Sequence, residues 1–119
     1  MDDMIGNLPR ARMSPRLING VLKWYEGDTF ELQVDITLQD QDGEPIEIKS
    51  TDTIEFEFFN KKRDTVKKFT FTNVMNGSVL LVFDKDTTTL FPVGEYTYDI
   101  YYDGYVRKTL SNDSVAIVE

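Results

Sequence analysis

The sequence predicts an all-β antiparallel sandwich of seven or eight strands. Three observations carry that expectation. Apolar and polar residues alternate with a period of two through one segment after another. Gly, Asp, Asn and Pro separate those segments about every 8 to 14 residues. No segment holds a sustained helical period, and no repeat of solenoid length is present.

Each element can be read in turn. "RLINGVLKWY" opens the domain, with Gly20 expected to mark a bulge or bend. Trp24 and Tyr25 are adjacent, so one of them should point outward. "FELQVDITL" places Phe30, Leu32, Val34, Ile36 and Leu38 on one face and Glu31, Gln33, Asp35 and Thr37 on the other. "TIEFEFFN" puts Ile54, Phe56 and Phe58 inward, with Glu55 and Glu57 outward. "KFTFT" sets Phe69 and Phe71 together, and "SVLLVFD", a short apolar run, reads as a central strand. "KDTTTLF" suits a single helical turn before Pro92. "EYTYDIYY" aligns Tyr96, Tyr98, Ile100 and Tyr102, leaving Tyr101 to face solvent. "YVRKTL" and "SVAIVE" close the chain as two short strands.

The stretch "ITLQDQDGEPIEI" poses a choice between a calcium loop and a turn. An EF-hand loop needs acids at its first, third and fifth positions, glycine at the sixth and glutamate at the twelfth. With Gly43 at the sixth, Asp40 and Asp42 fit, but Leu38 and Lys49 stand where ligands are required. The turn reading accounts for every residue. Asp supplies side-chain bonds to the backbone, Gly43 supplies positive φ, and Pro45 restarts an extended chain. In "TTTLFPVGEYTYDI", Tyr96 follows Pro92-Val93-Gly94 into a strand. There a hydroxyl can return to the upstream backbone, the tyrosine corner of Ig-like sandwiches.

Composition narrows function. The chain of 119 residues fits one domain that can bury roughly two-thirds of its unfolded surface. It has no cysteine, which excludes disulfides and thiolate zinc sites, and fits a reducing compartment. It has no histidine, which removes the commonest general base and metal ligand and every Ser-His-Asp or Cys-His arrangement. The net charge of −8 repels nucleic acid. No apolar run approaches a membrane span, and the N-terminus is not expected to be a secretory signal.

Residues 1–16 differ from the rest. Arg10, Arg12 and Arg16 stand there against Asp2 and Asp3, with Pro9 and Pro15, and the segment reads as an extended or disordered arm before a domain at 17–119. It is either a frayed terminus or an arm that docks on an acidic partner or neighbouring subunit. "NKKRDTVKK" gathers Lys61, Lys62, Arg63, Lys67 and Lys68. This is a hairpin tip that either grips phosphate or an acidic partner, or is solvated surface that blunts edge pairing with lysine. Trp24, Tyr25 and Tyr101 are candidates for an exposed aromatic platform that anchors a protein or a sugar, or for cross-strand pairs. Glu55 and Glu57, about 6.5–7 Å apart at the backbone, fall within glycosidase geometry. No cleft-forming insertion accompanies them, so they read as solubility residues. No catalytic, cofactor-binding or metal residue is assigned, and the chain reads as a non-enzyme.

"WYEGDTFELQVDITLQDQDGEPIEI", then "TIEFEFFNK", then "GSVLLVFDKDTTTLFPVGEYTYDIYY" and a final strand pair resemble the Ig-like N-terminal domain of phage baseplate upper proteins and related small prophage tail modules. The residues carrying this are Gly27-Asp28-Thr29, Asp40 to Ile46, Thr89-Leu90 without the group's spacer, and Gly94 to Ile100, within 22–118. The resemblance implies a structural module of a tail or baseplate, acting through contacts with other tail proteins or itself. It also implies a place in the virion, or in the bacterial cytoplasm before assembly. Larger members of that group continue into receptor-binding parts, so receptor binding is not carried over. The alternative is a carbohydrate- or ligand-binding module. No cofactor, nucleic acid or membrane partner is expected.

Overall fold

The computed structural model describes residues 15–74, 77–104 and 106–119, with the backbone of two short strands before them. Those strands, β1 (Met4–Ile5) and β2 (Leu8–Pro9), pair antiparallel with each other. The domain then runs β3 (Arg16–Ile18), β4 (Val21–Trp24), β5 (Phe30–Asp35), β6 (Thr53–Phe59), β7 (Thr65–Thr72) and β8 (Ser78–Phe83). One helical turn, α1 (Lys85–Thr88), precedes β9 (Gly94–Asp103) and β10 (Arg107–Val118). Six strands form one sheet in the order β3-β4-β10-β9-β6-β7, and β5-β8 form the second. The fold is an all-β sandwich, as the alternation predicts.

One pairing departs from the antiparallel expectation. β4 runs parallel to β10, with Leu22 opposite Ala116 and Trp24 opposite Val118. These strands come from opposite ends of the domain, so no hairpin turn dictates their relative direction.

Four further expectations are corrected. Gly20 marks a hairpin turn and not a bend: Asn19 and Gly20 both have positive φ (52° and 81°), the two-residue reversal that Asn-Gly favours. "SVLLVF" is not a central strand, because β8 pairs with β5 alone and exposes Leu80 and Val82. The strand at Phe30 ends at Asp35, with the Ile36 N–H making one further in-register bond to the Gly77 carbonyl at 2.6 Å. The last two segments are one strand, β10, with register shifts between Thr109 and Ser111 and between Ser111 and Ser114. Buried Asp99 holds that irregularity, its carboxylate accepting the Asp113 N–H (2.8 Å) and the Tyr101 hydroxyl (2.8 Å).

Between the sheets lies an aromatic core. Trp24 is fully buried, with its ring centroid 5.5 Å from Phe30, 5.2 Å from Phe83 and 5.4 Å from Phe91. Phe58 and Phe69 reach Phe83 at 6.0 and 5.2 Å. These contacts set β8 over β6 and β7, while Trp24 of β4 meets both Phe30 of β5 and Phe83 of β8. The expected helical turn is α1, capped by Asp84, whose carboxylate accepts the Thr87 N–H at 2.8 Å. The tyrosine corner is present: the Tyr96 hydroxyl donates to the Pro92 carbonyl at 2.5 Å. At the opposite end of β9, buried Tyr102 donates to buried Asp52 at 2.7 Å.

Candidate interaction surface

The turn at 40–45 needs no metal to hold it. The Asp40 carboxylate accepts the Asp42 and Glu44 N–H groups, both at 2.9 Å, and Gly43 (φ 81°) donates back to the Asp40 carbonyl. Among the described residues, no group of three or more acids converges as a metal site.

The basic hairpin between β6 and β7 is where its sequence suggested, and much of its charge is used at home. Lys61 pairs with Glu95 at 3.6 Å. Arg63 (φ 66°) pairs with Asp113 at 3.2 Å, bonds Thr97 at 3.1 Å and lies 4.3 Å over the Phe59 ring. Lys62 is exposed at the tip, where its backbone N–H is held by Asn60. Glu55 faces Lys68 (3.5 Å) and Arg107 (3.6 Å), and Glu57 accepts the Thr65 hydroxyl (2.6 Å). Several outer charges of the large sheet are thus paired within it.

The three aromatics expected as a platform do not meet. Trp24 is in the core, so its assignment as an interaction residue is withdrawn. The parallel pairing with β10 turns it inward, beneath the small sheet. Tyr25 is half-buried under the Arg16 guanidinium, 4.8 Å above its ring. Arg16 also pairs with Glu119, so it is fastened to the domain in β3 and is not part of a loose arm. Tyr101 is half-buried, bonded to Asp99 and covered by Arg107 at 4.6 Å. Arg10 and Arg12 lie outside the described residues.

Shifted acidities mark structural bonds. Asp52 is held below the usual carboxylate range by the Lys49 N–H and then the Tyr102 hydroxyl. Asp84 is lowered by the Thr87 N–H and then the Thr87 hydroxyl. Burial raises the phenols of Tyr96 and Tyr98, and the bond to Asp99 raises that of Tyr101.

The surface that sequence reasoning missed is the small sheet. Across it Glu31 faces Val82, Gln33 faces Leu80 and Asp35 faces Ser78. Leu80 and Val82 are 44% and 43% exposed. Glu31 and Asp35 make no ion pair among the described residues. The signal for this face was legible in the sequence. From Glu26 to Glu47 the chain holds eight carboxylates and no Lys or Arg. Among the described residues, no helix is long and apolar enough to cross a membrane. In comparisons with known proteins, the chain matches no family model, no curated protein and no solved structure.

Proposed function

We propose that this chain is a non-enzymatic β-sandwich module that works by protein–protein contact, as a structural component of a phage or prophage tail or baseplate. One observation carries the reading: a two-stranded sheet that presents Glu31 and Asp35, which make no ion pair among the described residues, beside exposed Leu80 and Val82. Apolar side chains flanked by charge are what a docking face offers. A long unpaired strand edge with such a face is otherwise a liability that single-domain proteins cover or charge. The place in a tail rests on the resemblance of the turn and strand signatures alone. The carbohydrate-binding alternative has lost Trp24 from its platform, and Arg16 and Arg107 occupy the Tyr25 and Tyr101 rings.

The test is light scattering during gel filtration, from micromolar to millimolar concentration, for the chain and for Leu80→Lys/Val82→Lys. Association that the double substitution weakens supports the reading. A monomer throughout, indifferent to the substitution and without affinity for tail proteins of its source genome, overturns it.

A further inference from the structure

Beside the tyrosine corner lies a recess of about 360 Å³, at the small end of the range that ligand sites occupy. One wall is the turn after β4, at Glu26 and Gly27. The other runs from Thr88, the last residue of α1, through Thr89 and Phe91 to Pro92. Two groups here lack partners. Thr88 is 2% exposed, and its backbone is fully used: its N–H donates to the Asp84 carbonyl and its carbonyl accepts the Phe91 N–H. Its side-chain hydroxyl, however, has no hydrogen-bond partner among the described residues. A buried hydroxyl left unbonded destabilises a fold, and valine would fill the same outline without that cost. Glu26 is exposed and makes no ion pair among the described residues. Its charge is felt at the recess. The Tyr96 phenol, bonded to the Pro92 carbonyl, is raised by burial and then by the negative charge of Glu26. Leu90 and Val93, which interrupt and follow the second wall in sequence, are 46% and 61% exposed.

We propose that this recess receives the ammonium of a lysine side chain from a partner protein, with apolar residues of the same partner segment resting on Leu90 and Val93. This rests on the reading of the chain as a contact module, and it names a second contact built from other residues than the small sheet. The chemistry of the walls selects the ligand. A carboxylate calls for a cation, and the Thr88 hydroxyl oxygen can accept from it. The Thr89 hydroxyl gives its proton to the Asp86 carbonyl at 2.8 Å, so its oxygen is also left to accept. Three acceptors match the three donors of an ammonium, whereas a guanidinium seeks a planar pair. The apolar stem of lysine suits a path past Phe91 and Pro92. The net charge of −8 draws cations toward the chain. Exposed Leu90 and Val93 argue for a protein segment over a free amine, because apolar contact around a polar centre is what a partner chain supplies.

The test uses the full chain, amide NMR spectra and the blocked tripeptide acetyl-Val-Lys-Val-amide. Titration is expected to shift the amides of Glu26, Gly27 and Thr88 to Phe91. Acetylating the lysine amine should weaken binding at least about tenfold, and so should Glu26→Gln. Thr88→Val should weaken binding about fivefold and also raise the denaturation midpoint of the free chain, because it removes the unbonded hydroxyl. A lowered midpoint would show that hydroxyl already at work in the fold and would overturn the proposal. Leu90→Ser/Val93→Ser should weaken the tripeptide and leave n-butylammonium unchanged. A tripeptide no tighter than n-butylammonium would make this a site for a free amine and overturn the protein partner. Shifts spread over the whole acidic surface, or none at all, would overturn the recess. Association weakened by Leu80→Lys/Val82→Lys would in that case leave the contact reading standing.

Discussion

Phe30, Leu32 and Val34 on β5 stand directly opposite Phe83, Leu81 and Val79 on β8, the same residue type at each step. One row is sealed and the other is half in water. Identical side chains in one ladder differ because burial is decided by the neighbours of a strand and not by its own sequence. β8 has the aromatic rings of β6 and β7 beneath it, while among the described residues no strand pairs with the other edge of β5. The same contrast divides the charges. On the large sheet Glu55 and Asp103 face cations, whereas Glu31 and Asp35 of β5 make no ion pair among the described residues.

The most severe way to break this comparison is to truncate the two leucines. Leu81→Ala is expected to cost about 2–5 kcal/mol and Leu32→Ala about 1 kcal/mol in urea denaturation of the dilute chain. Equal losses would erase the distinction.

Acid provides the next test. Asp52 braces the large sheet and Asp84 caps the turn after the small one, and both carboxyls are lowered on folding. A lowered carboxyl stabilises the fold above its unfolded pKa of 3.8 and loses that contribution as pH falls toward the folded value. The denaturation midpoint should therefore hold from neutral pH to about 5 and drop below about 4. Asp52→Asn and Asp84→Asn should each flatten that drop and lower the plateau. An unchanged acid limb in either variant removes that residue from the account.

Smaller effects sharpen the contrast. Tyr96→Phe should cost about 0.5–1.5 kcal/mol by deleting the hydroxyl bond to Pro92, and a midpoint equal to the parent's would show that bond to be idle. Glu55→Gln should cost at most about 1 kcal/mol despite its two cationic neighbours, since both pairs are on the solvent side. That loss should shrink in high salt.

Much of the architecture was legible. Strict alternation in "TIEFEFF" located β6 and its buried face, and Asp40 to Pro45 announced their turn. The missed features share a cause. "SVLLVF" is apolar on both faces, so its sequence cannot say how many strands flank it, and it sits at an edge. β10 looks like two strands because Asn112-Asp113 reads as a turn, whereas Asp99, far away in sequence, holds that kink within one ladder. Trp24 looked like a surface anchor because its inward turn depends on a parallel pairing across nearly the whole chain. The acidic face of β5 was legible only in part. The absence of cations from Glu26 to Glu47 was visible, but the register against β8 was needed to set Glu31 and Gln33 beside Val82 and Leu80.

Trp24 is also the only tryptophan in the chain. Its indole N–H has no acceptor among the described residues, and its ring touches phenylalanines from both strands of the small sheet. The protein therefore carries its own optical gauge at the seam between the layers. An indole kept dry emits at shorter wavelength than a wet one. A single unlabelled chain can thus report, by a shift to longer wavelength, the moment water enters between the sheets.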